Sequence, residues 1–256
     1  LQSIDLPGET TIGLEAFYRC TGLKSLDLSG VTTVGNDAFY DCTGLEYINT
    51  GDNLVDLGDR AFACERSVAV SPRVIVLSNA LADLPANAFS QNVIRAFSGG
   101  NGLKAIGDGA FSGCEFRGMQ EIFVPYNVEN IGANAYAGIK CDKNLFTKIY
   151  IGDKVTQIGD KAFDITQSVM ALYCAATTPP QCPKTAFSDG LYAVSSLMVP
   201  DVEAYEKVFP WYKFMKSSYY DFSGVEEVAD GGEEFSVSCS GGEMRVECGD
   251  GTAVMV

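Results

Sequence analysis

A six-residue phrase, composed of an aliphatic residue, Gly, two variable residues, Ala and an aromatic, recurs through most of this chain. It reads Ile12-Gly13-x-x-Ala16-Phe17, Val34-Gly35-x-x-Ala38-Phe39, Leu57-Gly58-x-x-Ala61-Phe62, Leu84-Pro85-x-x-Ala88-Phe89, Ile106-Gly107-x-x-Ala110-Phe111, Ile131-Gly132-x-x-Ala135-Tyr136 and Ile158-Gly159-x-x-Ala162-Phe163. Thr185-Ala186-Phe187 is a degenerate eighth copy, so the aromatics advance in steps of 22, 23, 27, 22, 25, 27 and 24 residues. A unit of this length cannot bury its apolar face alone, and stacked copies form a solenoid. That constrains architecture more than function, because a solenoid is a scaffold whose partner is chosen by its surface.

Upstream of the phrase lies the other half of the unit: Leu23-x-x-Leu26-x-Leu28, Leu45-x-x-Ile48, Met119-x-x-Ile122-x-Val124, Phe146-x-x-Ile149-x-Ile151 and Val169-x-x-Leu172-x-Cys174. Alternation over the last three positions predicts a short strand with one face buried. The Gly is expected to turn the chain out of the strand with positive φ, and Asn36, Asp59, Asp108 and Asp160 to cap N–H groups of the next turn. Each coil then reads as strand, turn, short helix or 3₁₀ segment, and return, with Ala where the coil is tight and the aromatic between coils.

Together these two halves resemble the BspA-like leucine-rich repeat family, whose unit runs L-x-x-L-x-L, a spacer, then I-G-x-x-A-F-x-x-C. The resemblance covers residues 1 to about 200. It implies an α/β repeat, a right-handed leucine-rich-repeat solenoid with a parallel concave sheet, followed by a small C-terminal β module. The stretch from Ala175-Ala176-Thr177-Thr178-Pro179-Pro180 to Val199-Pro200, with Val202-Glu203-Ala204-Tyr205 and Trp211-Tyr212-Lys213-Phe214 after it, looks like the usual end of such arrays. There a short amphipathic helix covers the open core, and Pro210 is expected to stop it before Trp211. The division follows as residues 1–216 for the solenoid with its cap and 217–256 for the β module.

Members of that family are described as surface adhesins or host-interaction proteins of anaerobic bacteria. The resemblance therefore implies a non-catalytic binding protein, secreted or displayed on the outer-membrane exterior. Its partner would be a host or bacterial surface protein; the alternative is a glycan. The sequence opens at Leu1-Gln2-Ser3-Ile4, inside a repeat strand and without an initiator Met, so a signal segment is expected to lie outside it.

Composition narrows the partners. A net charge of −15 argues against nucleic acid or an anionic membrane, which would repel the chain before contact. No apolar run is long enough to span a bilayer, so no membrane insertion is expected in this segment. The chain contains no His, which removes Ser-His-Asp and Cys-His nucleophiles and the commonest ligand of Zn, Cu and Fe sites. No phosphate-binding G-x-x-x-x-G-K-[ST] phrase occurs. The densest acidic sets, Asp52, Asp56 and Asp59 and the group Glu226, Glu227, Asp230, Glu233 and Glu234, lack the loop spacing that wraps Ca²⁺, and read as solvated turns and caps. Catalytic, metal and cofactor residues are accordingly expected to be none.

Nine cysteines raise the question of disulfides. Cys20, Cys42 and Cys114 each follow the repeat aromatic by three residues and form one interior column; Cys64 and Cys141 are the same column adjusted for coil length. Coils stack about 4.8 Å apart with side chains parallel, whereas a disulfide wants Cβ atoms near about 3.8 Å and turned together, so buried thiols are expected. Cys174 and Cys182, flanking the Thr-Thr-Pro-Pro loop, are the one pair whose spacing leaves a bridge open.

The repeat ends before residue 217. An acidic, Gly-rich stretch leads into a hairpin pattern in which Gly241-Gly242 turns the chain, Ser240 faces Glu243 and Cys239 faces Met244. The inner face would carry Phe235, Val237, Cys239, Met244, Val246 and Cys248. This tail resembles the β-rich modules that follow such arrays in secreted proteins of Bacteroides-type bacteria, and its last strand is left without a closing turn.

One surface column carries the functional expectation. In L-x-x-L-x-L the last variable residue points out of the concave sheet, because strand side chains alternate. Coil by coil it reads Asp27, Asn49, Val76, a member near Arg95, Phe123, Tyr150, Tyr173 and Met198. The first positions are polar and the later ones apolar or aromatic, so Phe123, Tyr150 and Tyr173 are expected to merge into an exposed strip. A ladder that only stabilises the sheet, a protein-binding face and a glycan platform are the three readings of it.

Overall fold

The computed structural model describes residues 3–6, 10–65, 70–71 and 73–223, and the backbone of three strands at 236–240, 243–247 and 253–255. It divides into two compact units, Leu1–Asp221 and Phe222–Val256.

In the first unit each strand pairs in parallel with its counterpart one coil away, and strands next to each other in the chain pair only at the C-terminal end, where Ser168–Cys174, Ser196–Val199 and Lys216–Tyr219 follow one another. One concave sheet contains seven strands: Ser3–Asp5, Ser25–Asp27, Tyr47–Asn49, Arg73–Leu77, Val93–Gly99, Glu115–Phe116 and Lys140–Cys141. A second contains Glu121–Phe123, Leu145–Ile151, Ser168–Cys174, Ser196–Val199 and Lys216–Tyr219. The aliphatic residue of each repeated phrase closes a short strand on the opposite side, such as Val31–Val34, Asp56–Leu57 or Asn130–Ile131, and these too stack in parallel.

Between the two sides lies the core, and the repeat explains it. Phe17, Phe39, Phe62, Phe89, Phe111, Tyr136, Phe163 and Phe187 form one stack, with neighbouring ring centroids 5.1 to 5.9 Å apart and planes within 16°. Burying one such side chain stabilises the fold by roughly 1.5–3 kcal/mol, so the stack is a large share of what holds the coils together. Cys42 and Cys114 are fully buried beside it, and their thiols donate to the Phe17 and Phe89 carbonyls at 3.1 and 3.0 Å. Burial pushes both thiols up to about 12. All described cysteines are free, Cys174 and Cys182 included; the Cys174 sulfur lies 3.2 Å from the Tyr205 hydroxyl oxygen.

Two local expectations are corrected. The segment around Ala and the aromatic is a series of turns, not a helix or 3₁₀ segment. Left-handed residues recur at two places in most coils, as Glu15 and Arg19, Asp37 and Asp41, Asn87 and Gln91, or Gly109 and Gly113, and at the first place alone with Arg60 and Lys161. They aim N–H groups at the next coil instead of back along a helix: Phe17 donates to the Ala38 carbonyl, Phe39 to Ala61 and Phe62 to Ala88, all at 2.8–2.9 Å. The repeat glycine, in turn, does not have positive φ. It is required because the coils touch there: a Cβ on Gly58 would lie 2.3 Å from the Asn36 nitrogen, and one on Gly159 2.5 Å from that of Ala133. Three of the four Asx residues cap, and they cap the following coil, while Asp160 accepts the Thr185 hydroxyl instead of an N–H. Asn36 Oδ1 accepts the Asp59 N–H at 2.9 Å, Asp59 that of Ala86 at 3.1 Å and Asp108 that of Ala133 at 2.7 Å.

The helix Val202–Glu206, N-capped by Asp201, and the 3₁₀ turn Trp211–Lys213 close the end of the core, with Pro210 between them. Tyr205 and Trp211 are wholly buried; Tyr205 donates to the Ala176 carbonyl at 2.7 Å and Trp211 Nε1 to that of Pro180 at 2.8 Å. Lys216–Tyr219 then joins the concave sheet beside Ser196–Val199. A division between 216 and 217 would cut this strand, which is why the compact unit runs on to Asp221. In the second unit Ser236–Ser240 pairs antiparallel with Glu243–Glu247 in the register of the expected hairpin, Ser240 opposite Glu243 and Cys239 opposite Met244. Ala253–Met255 adds a third strand. Gly241, Gly242, Phe235 and Cys248 lie outside the described residues. Among the described residues no helix is long and apolar enough to cross a membrane.

Candidate binding face

Parallel pairing in register sets each outward residue beside its equivalent one coil on. Asp27 stands against Asn49 and Asn49 against Val76. Phe123 stands against Tyr150, Tyr150 against Tyr173 and Tyr173 against Met198. The member between these groups is Ser98, opposite Val76, and not Arg95, which lies where a bulge shifts the register by one residue. Nor is the column continuous: Asp27, Asn49, Val76 and Ser98 belong to one sheet and Phe123 onward to the other.

The polar group is closed on itself. Asp27 Oδ1 accepts the Ser29 N–H at 3.0 Å and Asn49 Nδ2 at 3.3 Å, and Asn49 Oδ1 accepts the Gly51 N–H at 3.0 Å. These side chains hold the turns that leave the sheet, which is what short polar side chains do at strand ends. Val76 lies half-buried beside them.

The aromatic group forms a ladder. Phe123 and Tyr150 have centroids 5.9 Å apart at 34°, and Tyr150 and Tyr173 6.3 Å apart at 23°. Tyr220 meets the Tyr173 ring edge-on at 4.9 Å, and Lys148 Nζ stands 5.2 Å from its centroid. The strip is therefore less open than its sequence implies. Tyr150 is only 7% exposed, Tyr173 and Met198 are half-buried, and Phe123 alone is open, at 38%. Burial, with Asp153 and Tyr220 close by, raises the Tyr150 phenol above its usual range. Glu121 and Lys148, two residues back along the same strands, form a half-buried ion pair at 3.7 Å.

Two features escape a reading by repeat. Arg73 opens a strand that otherwise looks wholly apolar, yet its guanidinium is buried inside the solenoid. Its donors reach the carbonyls of Leu45 at 3.2 Å, Phe62 at 3.4 Å and Cys42 at 2.8 Å, the Cys64 sulfur at 3.3 Å and Asn92 Oδ1. Asn92 occupies the cysteine position of its coil, and this polar substitution is the one signal in the sequence that something charged lies opposite. On the opposite side of the coils, Tyr18 stacks on Tyr40 at 5.2 Å with Arg19 and Arg60 over their rings, a cluster held by ion pairs to Asp41 and Asp37.

Comparison with known proteins gives the architecture a family. The sequence profile described as BspA type Leucine rich repeat region matches in six copies, over residues 1–117 and 69–170. No curated protein sequence matches the chain. Among solved structures it is similar to a leucine rich cell surface protein from Faecalibacterium prausnitzii A2-165, with 16% identity and a TM-score of 0.35 over 86% of this chain and 88% of that one. It is also similar to a leucine-rich repeat protein from Bacteroides ovatus ATCC 8483, with 14% identity and a TM-score of 0.27 over 86% and 92% of the two chains. With the profile spanning residues 1–170, and the aromatic stack and paired strands recurring through them, the chain belongs to the BspA type leucine-rich repeat family.

Proposed function

We propose that this chain is a non-catalytic binding protein, secreted or displayed at a bacterial surface, that holds a protein partner on its concave face between Phe123 and Met198. The observation that carries this reading is Phe123: an open ring fixed at the end of a stacked ladder, in line with Tyr150, Tyr173 and Met198, which face outward on the same sheet. A ring already immobilised by its neighbours loses little freedom on binding, and such aromatics are favoured at the centres of interfaces. A glycan platform is less well served. Stacking on sugar needs open ring faces, and Tyr150 is buried while Tyr173 is flanked by Tyr220 and Lys148. Display outside the cell comes from the family and is tested by protease access to the chain on intact cells.

The binding test is capture from a panel of matrix and surface proteins, with polysaccharides as a parallel arm, comparing the natural chain with Phe123→Ala. Retention of a protein that falls at least about tenfold in the variant supports the reading, the size expected of one interface anchor. Retention of polysaccharide alone makes the chain a glycan binder, and retention indifferent to Phe123 moves the site elsewhere. Replacing Tyr150 cannot serve for this purpose, since a buried ring reports on folding.

A further inference from the structure

The concave face is interrupted in its middle. Val93–Gly99 pairs backward with Arg73–Leu77, and forward with Glu115–Phe116 only through Val93 and Ile94. Glu121–Phe123 pairs only forward, with Leu145–Ile151. Among the described residues no strand pairs with the forward side of 96–99 or with the backward side of 121–123. The opening is closed at both ends: the Arg117 N–H donates to the Ile94 carbonyl at 2.8 Å, and Asn127 Nδ2 to the Asn101 carbonyl at 2.7 Å. Between those two bonds the later coil is longer than the earlier one by three residues, which Gly118, Met119 and Gln120 supply, so the walls cannot stay in register. Phe97 reports the opening. Of the inward apolar residues in its column, Ile4, Leu26, Ile48, Ile75, Ile122, Ile149, Leu172 and Leu197 are buried, and Phe97 alone is partly exposed.

Strand alternation determines what the walls present. The Val124 N–H reaches forward to the Tyr150 carbonyl, so the main-chain groups of Phe123 and, two residues earlier, Glu121 point back into the opening. The Gly100 N–H reaches back to the Leu77 carbonyl, so the N–H and carbonyl of Phe97, three residues earlier, point forward into it. Facing rows of main-chain donors and acceptors are what an added strand satisfies.

We propose that this opening receives an extended segment of a protein partner, which pairs with the free edges at 96–99 and 121–123, sets an apolar side chain against Phe97 and carries basic flanking residues. Main-chain edges select an extended peptide over a folded surface. The net charge of −15 selects a basic one. The proposal rests on the binding reading above only in taking the partner to be a protein.

The test uses the whole chain and a capped seven-residue peptide of alternating Lys and Val, followed by amide hydrogen exchange. Saturating peptide should slow exchange of the Phe97, Glu121 and Phe123 amides by at least about tenfold. The same peptide N-methylated at alternate residues keeps its side chains and charge but loses half its donors, and should give no protection. Equal protection by the methylated peptide, protection confined to Lys216–Tyr219, or none at all would overturn the proposal. Deleting Gly118, Met119 and Gln120 equalises the walls, and should slow those amides without peptide while abolishing the peptide's effect. Where that deletion does not fold, the methylated peptide decides. Capture that depends on Phe123 without peptide protection here would leave the binding face standing and remove this slot; protection here without such capture would do the reverse.

Discussion

Two ladders of aromatic rings run along this solenoid at the spacing of its coils, one inside and one on the concave face. The inner ladder extends from Phe17 to Phe187, its rings nearly parallel and all at similar separation. The outer one is short, tilted by 23–34°, and ends against the edge of Tyr220. Inside, every ring meets the same neighbours in the same register, and close packing leaves one arrangement for all. On the face, packing acts from one side only, so the rings settle where their local coils allow. Regularity therefore marks what holds the coils together, and departure from it marks where a partner has room.

The inner ladder breaks first. Phe62→Ala removes a ring stacked on both faces, between Phe39 and Phe89, and should lower stability by about 3–5 kcal/mol. Because each coil contacts only its neighbours, a gap in the middle also uncouples the two halves. Urea melts should show a lower midpoint and a broadened or divided transition. An unchanged single transition would mean that the stack is not what couples the coils.

Arg73 is the irregular element within the regular half, and Arg73→Ala should cost a comparable or slightly smaller amount, about 3–4 kcal/mol. The loss comes from the packing of the side chain and from the Leu45 carbonyl and Asn92 Oδ1 left buried without a donor, whereas the Cys42 carbonyl keeps the Leu45 N–H and the Phe62 carbonyl keeps Asn92 Nδ2. Thermal melts of Arg73→Ala and Asn92→Ala, singly and together, should be non-additive, since either change dismantles the same network. Additive losses would show that the two residues act separately.

How much of this was legible follows the same division. Periodicity revealed the inner ladder and the cysteine column, because each is a consequence of identical coils stacked in register; the cap around Trp211 was implied by the family resemblance alone. Periodicity also located Phe123, Tyr150 and Tyr173 side by side. It did not reveal that Tyr150, between the rings of Phe123 and Tyr173, would be buried while Phe123 stays open, because strand alternation gives the direction of a side chain and not its cover. Nor did it reveal Ser98 as the missing member of the column or the break beyond it, which arise from a bulge and from unequal coil lengths. The role of Gly was misread for a related reason: contact between coils constrains Gly58, and a single repeat contains no such contact.

The buried thiols give a pH test of the inner half. Cys42 and Cys114 rise from 9.0 to about 12 on folding, so below pH 9 both states keep the proton and the fold loses nothing. Above pH 9 the unfolded thiols ionise while the folded ones do not. Stability should then fall steadily until the folded thiols ionise near about 12. Cys42→Ala with Cys114→Ala should flatten part of that slope in denaturant melts taken between these limits. Native chain should also resist alkylation at both positions at pH 8; prompt modification would place the thiols at the surface.

The outer ladder yields the smallest stability effects and the sharpest contrast. Tyr150→Ala opens a hole between two rings and should cost about 1–3 kcal/mol, whereas Phe123→Ala, at the open end, should stay within about 0.5 kcal/mol. Partner capture should rank the two in the opposite sense once both are folded: Phe123→Ala removes the contact ring itself, and Tyr150→Ala merely loosens its support. Paired measurements of melting and capture on the same preparations decide this. If Phe123→Ala melts like Tyr150→Ala, the outer ladder is a continuation of the core. If it melts like the natural chain and still loses its partner, the open end of the ladder is where the repeat stops and recognition begins.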